Sequence, residues 1–174
     1  MIERRHTDNG IESVAVYSGC ERYRFRLSRI WAPADGMVAF VMLNPSTADE
    51  RLNDPTVERC QRRTRALGYG AFTVVNVFAY RATRPGDLKS ADDPVGRGND
   101  AAICSAAASA DMILCAWGVH GAHLGRGPAV AETMRASGRR LFHLGLSKHG
   151  HPRHPLYVSY AVTPRVWTAE PQGA

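Results

Sequence analysis

The segment Met37-Val38-Ala39-Phe40-Val41-Met42-Leu43 contains no polar residue and runs directly into Asn44-Pro45-Ser46-Thr47-Ala48-Asp49. A strand with one wet face alternates apolar and polar side chains, so an unbroken apolar run reads as a strand covered on both faces. Such strands belong to a parallel sheet between helical layers. Two further runs repeat the pattern: residues 71–78, continuing into Ala79-Tyr80-Arg81, and Met112 to Trp117, followed by a loop with Gly118, Gly121, Gly125 and Gly127. A fourth strand is expected at Leu141 to Leu144, in an apolar run that reaches Leu146 and precedes Gly150-His151-Pro152-Arg153-His154-Pro155-Leu156-Tyr157. In an open α/β sheet, ligands bind outside the carboxyl ends of the parallel strands, so polar residues collected there mark a candidate site.

The segments between the runs carry helix signals. Asp54-Pro55-Thr56 supplies an N-cap and a proline at the first helical position. Val57, Cys60, Thr64 and Leu67 mark the inner face of that helix, Arg59, Arg62, Arg63 and Arg65 its outer face, and Gly68 its stop. A loop with Pro85 and Gly86 follows the second strand; Asp93-Pro94 then opens a helix carrying the alanine-rich stretch 101–110, and a third helix covers 128–137. Residues 12–31 read as an antiparallel hairpin turning at Ser18-Gly19-Cys20-Glu21, with Tyr23, Phe25 and Leu27 buried and Arg22, Arg24 and Arg26 on the solvent face. The expected fold is α/β: three layers, α/β/α, around a central four-stranded parallel sheet, plus the N-terminal antiparallel hairpin. It forms a single domain over 1–174, with its core at about 12–165 and a tail at 166–174.

The formal net charge is +6, and Lys89 and Lys148 are the only lysines. Excess positive charge favours a polyanion, although charge spread evenly over a surface selects no partner, and arginine-favouring codons explain the bias equally well. No apolar run reaches the length of a membrane span, and Met1-Ile2-Glu3-Arg4-Arg5-His6 lacks a signal-peptide core. The expectation is a cytoplasmic protein without a membrane partner, at the nucleoid if it acts on DNA. Of the 4 cysteines, none forms a C-x-x-C pair, and Cys60, Cys104 and Cys115 read as buried thiols. His143, His149, His151 and His154 lack an evident carboxylate second shell, and the glycine-rich loop lacks the Gly-Lys-Ser/Thr of a P-loop. No metal and no cofactor is expected.

The order of these motifs (strand, Asn-Pro loop, strand ending in Asn, His-Pro after the last strand) resembles the uracil-DNA glycosylase superfamily. From about Tyr23 to Tyr157 the chain is more closely similar to a bacterial family designated domain of unknown function 1643. That likeness rests on Leu43 to Asp49, Asn76 to Thr83, Ala116-Trp117-Gly118 and Pro152 to Tyr157.

The glycosylase resemblance implies three roles. Asn44 would position the attacking water; an amide orients water without deprotonating it, which suffices if the glycosidic bond is largely broken first. Asn76 would read the base edge, its amide offering both donor and acceptor. His154, with His151-Pro152 as the alternative, would stabilise the departing base. Ser46 and Thr47 stand where the commonest uracil enzymes have tyrosine and histidine, and the cysteine ligands of the cluster-bearing branch are missing.

Ser46 and Thr47, with Phe78 available for stacking, would complete the base pocket, while Arg81, Arg84, Arg153 and His151 would meet phosphates. Asp49 is the alternative base. The leading expectation is a monomeric, metal-independent enzyme that flips uracil or another deaminated base out of single- or double-stranded DNA and hydrolyses its N-glycosidic bond. Its rivals are a nucleic-acid or nucleotide binding module without chemistry, and a hydrolase or transferase acting on a small nucleoside or nucleotide with Asp49 as base.

Overall fold

Eight strands form one mixed sheet in the computed structural model, which describes residues 1–168. They are β1 (Ile2–Asp8), β2 (Ile11–Tyr17), β3 (Arg24–Ile30), β4 (Met37–Met42), β5 (Ala71–Asn76), β6 (Met112–Cys115), β7 (Leu141–His143) and β8 (Arg165–Val166), in the order β1-β2-β3-β5-β4-β6-β7-β8. The four apolar runs supply the parallel centre, β5-β4-β6-β7. Antiparallel pairing extends it on both sides, through β3, β2 and β1 and through β8.

The expected hairpin is thus two strands of a three-stranded meander. β1 escapes a pattern search because its side chains are mostly exposed and charged. The expected tail begins too early: Arg165 and Val166 pair with β7, and Trp167 donates its N–H to the Leu141 carbonyl at 2.7 Å. Residues 169–174 of that tail lie outside the described residues.

Four helices pack on the sheet: α1 (Pro55–Ala66), α2 (Pro85–Lys89), α3 (Asn99–Ser109) and α4 (Arg126–Ala136). Asp54 caps α1 as its sequence predicts, Oδ1 accepting from the Val57 N–H at 2.8 Å. The loop expected around Pro85 contains the short α2. α3 starts six residues after Asp93, whose carboxylate instead closes a turn by accepting from the Gly96 N–H at 2.9 Å. Along β4, Ala39 and Val41 face a core shared with Ile103, Ala106, Val130 and Met134 of α3 and α4. Val38, Phe40 and Met42 face the opposite core, with Val57 and Cys60 of α1. The central strands are therefore covered on both faces. Among the described residues no helix is long and apolar enough to cross a membrane.

Two arginines expected at the surface are buried. Arg24 and Arg63 are only 2% and 3% exposed. For Arg24 the cause is a register shift: Val16 pairs with Arg26 but Tyr17 pairs with Arg24, so Phe25 is an extra residue. Such a bulge inverts the alternation on one side of it relative to the other, and Arg24, just before it, joins Tyr17 on the α1 side. Arg63, with its neighbour Arg59, reaches across to backbone carbonyls of the 155–162 segment. Arg63 donates to Val162 at 2.6 Å and Ser159 at 3.0 Å, and Arg59 donates to Val158 at 2.8 Å. Arg62 and Arg65 remain exposed, whereas Cys104 is exposed rather than buried. Because the Arg63 bonds are charge-assisted and shielded, Arg63→Ala is expected to cost about 1.5–3 kcal/mol in urea unfolding. A loss under about 0.5 kcal/mol would mean that the segment is held by other contacts.

Candidate functional site

Beyond the carboxyl ends of β4 and β5, on the α1 face, lies a cavity of about 720 Å³. Met42, Val74 and Trp117 form apolar wall, and the first turn of α1 contributes Thr56 and Val57. Asn44 and Asn76, at the ends of β4 and β5, and His154, from the loop that follows β7, all line it. Ser46, Thr47, His151 and Arg153 do so as well.

Hydrogen bonds fix the Asn44 and His154 side chains, whereas that of Asn76 has no partner among the described residues. Asn44 donates its Nδ2 hydrogens to the carbonyls of Ala82 at 2.7 Å and Pro45 at 3.0 Å. Its Oδ1, the remaining polar atom, receives no donor from the described residues and is left as an acceptor. Asn76 is 1% exposed, and its Nδ2 has no acceptor among the described residues. Leaving a buried amide N–H unpaired costs about 1–3 kcal/mol, so its retention beside a cavity needs a reason. The backbone there is fixed: Asn99 of α3 donates to the Asn76 carbonyl at 2.9 Å.

His154 Nδ1 accepts from the Leu156 N–H at 3.3 Å, which places the proton of the neutral ring on Nε2. Burial lowers its pKa to about 4, against an opposing pull from Asp54. At neutral pH the imidazole is an uncharged Nε2–H donor.

A family model described as a protein of unknown function, DUF1643, matches residues 24–156. The chain belongs to this family. No curated protein and no solved structure matches it. The DUF1643 match begins at the first residue of β3, so β1 and β2 lie outside it, and it includes Asn44, Asn76 and His154.

Four expected site residues of this DUF1643 chain stand elsewhere. Asp49 is not part of the cavity wall; its Oδ1 accepts from the N–H groups of Arg51 at 2.7 Å and Leu52 at 2.8 Å. Burial opposes its charge, but the Leu52 and Arg51 hydrogen bonds outweigh that and hold the carboxyl below its ordinary range. It closes a turn, a poor position for a base. Phe78, two residues past the end of β5, is fully buried in the α3 and α4 core and packs on the His123 ring at 5.6 Å. Arg81 donates to the Glu21 carbonyl at 3.2 Å and lies over the Tyr17 ring, and Arg84 is exposed at the start of α2. Neither lines the cavity.

The structure adds Arg24, Asp54, Trp117 and Tyr157 to the wall. Asp54 keeps its capping role there. Trp117 is 1% exposed, and a second cavity of about 640 Å³ lies on another side of it. The glycine spacing after Trp117 could have pointed to it: a Cβ at Gly121 would stand 2.0 Å from the indole Cδ1, so only glycine lets the loop close on the ring. Tyr157 is 82% exposed and sits at the mouth. Arginines pin the loop below Asn44 from the sheet side. Arg24 Nη1 donates to the Ala48 carbonyl, and Arg29 Nη2 to the Asp49 carbonyl at 2.6 Å. Among the described residues no three His, Cys, Asp or Glu side chains group as metal ligands would.

Proposed function

We propose that this protein hydrolyses the N-glycosidic bond of a nucleobase, uracil or another deaminated base, with the base inserted into the cavity above β4 and β5. The observation that carries this reading is the unpartnered buried amide of Asn76 in a cavity also lined by Asn44 and His154. Nδ2 of Asn76 would donate to a base carbonyl and Oδ1 would accept from the neighbouring ring N–H. Asn44 Oδ1 would accept a hydrogen bond from water and aim its lone pair at C1′. Nε2–H of His154 would donate to the base as negative charge develops on it. None of these groups removes a proton from the water, so the route requires an oxocarbenium-like sugar before attack. The order along the sequence of an Asn-Pro loop, an Asn-ending strand and a His-Pro loop resembles that of the uracil-DNA glycosylase superfamily, which supports this choice of chemistry.

DNA is the expected carrier of the base. The test is incubation with single- and double-stranded oligonucleotides bearing uracil, hypoxanthine or xanthine, followed by alkali cleavage at abasic sites. Strand cleavage only at the modified base is expected; intact strands throughout would remove the proposal for DNA. A free nucleoside or nucleotide is a second reading, favoured by the absence of Arg81 and Arg84 from the cavity wall. It predicts free base from mononucleotides in the same assay.

Asn76→Leu separates function from folding. Leucine fills similar volume without a buried N–H, so thermal stability should hold or rise by about 1–2 kcal/mol while base release disappears. Lost stability in thermal unfolding would show that Asn76 is a structural amide.

A further inference from the structure

Arg24 is the one buried guanidinium at the cavity, with the Asp54 carboxylate near enough to favour its charge but not hydrogen-bonded to it. It is 2% exposed and lines the cavity beside the first turn of α1. Nη1 is satisfied by the Ala48 carbonyl, but Nε has no acceptor among the described residues, and no carboxylate forms an ion pair with it there. Arg29 and Arg63, the other buried arginines, do not line this cavity: Arg63 Nε is likewise without an acceptor among the described residues, but its Nη atoms donate to the Val162 and Ser159 carbonyls, and Arg29 Nη2 donates to the Asp49 carbonyl. A buried charge without a partner is costly, several kcal/mol in a protein interior, and is retained where something supplies the counter-charge.

The cavity has room for that counter-charge. Asp54 is the one carboxylate in its wall among the described residues, against Arg24 and Arg153. Both Asp54 oxygens are occupied, Oδ1 by the Val57 N–H at 2.8 Å and Oδ2 by the Ala48 N–H at 3.4 Å. In the first turn of α1, Pro55 has no N–H and those of Val57 and Glu58 are taken by Asp54, which leaves Thr56 as the group of that turn free at the same wall. Burial lowers Arg24 to about 10, so it remains charged at neutral pH. The β3 bulge that inverts Arg24 would then serve ligand binding as well as packing.

We propose that Arg24 and the first turn of α1 form a phosphate-recognition subsite within this cavity, so that the substrate is a nucleotide rather than a bare nucleoside. The inference rests on the nucleobase reading above for the rest of the ligand. The shared chemistry is a phosphate ester, carried either by a free mononucleotide or by the phosphodiester beside an extruded base.

Calorimetric titration of the full chain with deoxyuridine, deoxyuridine 5′-monophosphate, inorganic phosphate and a short uracil-containing oligonucleotide tests it. The monophosphate is expected to bind roughly 10- to 100-fold more tightly than the nucleoside, as charge-assisted bonds to one group allow, and inorganic phosphate to compete. In Arg24→Met that ratio should fall to near one with nucleoside affinity retained, and Arg24→Lys should restore part of it. An Arg24-dependent gain seen with the oligonucleotide but not the mononucleotide would assign the phosphate to the polymer. Equal affinity for nucleoside and nucleotide in the wild-type protein overturns the subsite without need of any variant, as does no binding of any probe, or a ratio unchanged in a folded Arg24→Met protein. A phosphate preference without base release would retain the subsite and remove the hydrolytic reading.

Discussion

Replacing His154 by alanine is expected to slow base release by about 10²–10³-fold, the range for losing one hydrogen-bond donor to developing negative charge. The ring is a neutral donor before any ligand arrives. Nδ1 is engaged by the Leu156 N–H, and burial holds the pKa at about 4, so Nε2–H is available without a prior protonation. The wild-type rate should therefore stay level as pH falls through 6.5, where a free histidine would titrate, and change only near 4. Stability follows the same linkage. A histidine whose folded pKa is depressed leaves the unfolded chain binding the extra proton between about 6.5 and 4, so stability is lost as pH falls through that window. The loss amounts to about 3 kcal/mol, and His154→Ala should remove most of that acid sensitivity. Single-turnover rates and urea unfolding at stepped pH check both parts. A rate that follows an ionisation at 6.5 would show that the imidazolium, not the neutral ring, is the active form.

Gly70→Ala is expected to prevent folding, with a cost above about 4 kcal/mol. Gly70 joins α1 to β5, and its carbonyl accepts from the N–H groups of Trp31 and Ala32, both at 2.9 Å, while its own N–H donates to Gly36 at 3.2 Å. A methyl group there would stand 1.6 Å from the Ala32 carbonyl oxygen, a backbone atom that cannot rotate away. Gly68, two residues earlier, is the control. Its φ is +83° but nothing lies within 4 Å of an added Cβ, so Gly68→Ala should cost only about 1–3 kcal/mol of backbone strain. Soluble yield and thermal unfolding distinguish the pair; similar behaviour of the two would mean that the β3–β5 junction yields easily.

The contrast between these positions shows what the chain discloses when read alone. Residues 37–43 read as a central strand, because a half-wet strand does not carry seven consecutive apolar residues and the run is short for a buried helix. The four parallel strands and the Asp54 cap followed from such local rules. β1 did not, since an exposed edge strand of charged residues has no apolar period to detect. Arg24 departs from the expected face for a related reason: period-two alternation assumes no bulge, and one extra residue, Phe25, reverses the face of Arg24 relative to the residues after it. At the site, Asn44, Asn76 and His154 were legible because amides and imidazoles at apolar strand ends conflict with local propensity. Asp49 and Phe78 carried plausible chemistry but belong to a turn and a core, which only tertiary contacts reveal.

The central claim is that Asn44, Asn76 and His154 act together on one nucleobase, and a crystal structure of the protein soaked with uracil tests it most directly. The base is expected in the cavity above β4 and β5, with the Asn76 amide paired to a carbonyl and adjacent ring N–H and with Nε2 of His154 within hydrogen-bonding distance of the base. Uracil bound at another surface, or lying in this cavity without contact to Asn76 and His154, would contradict it.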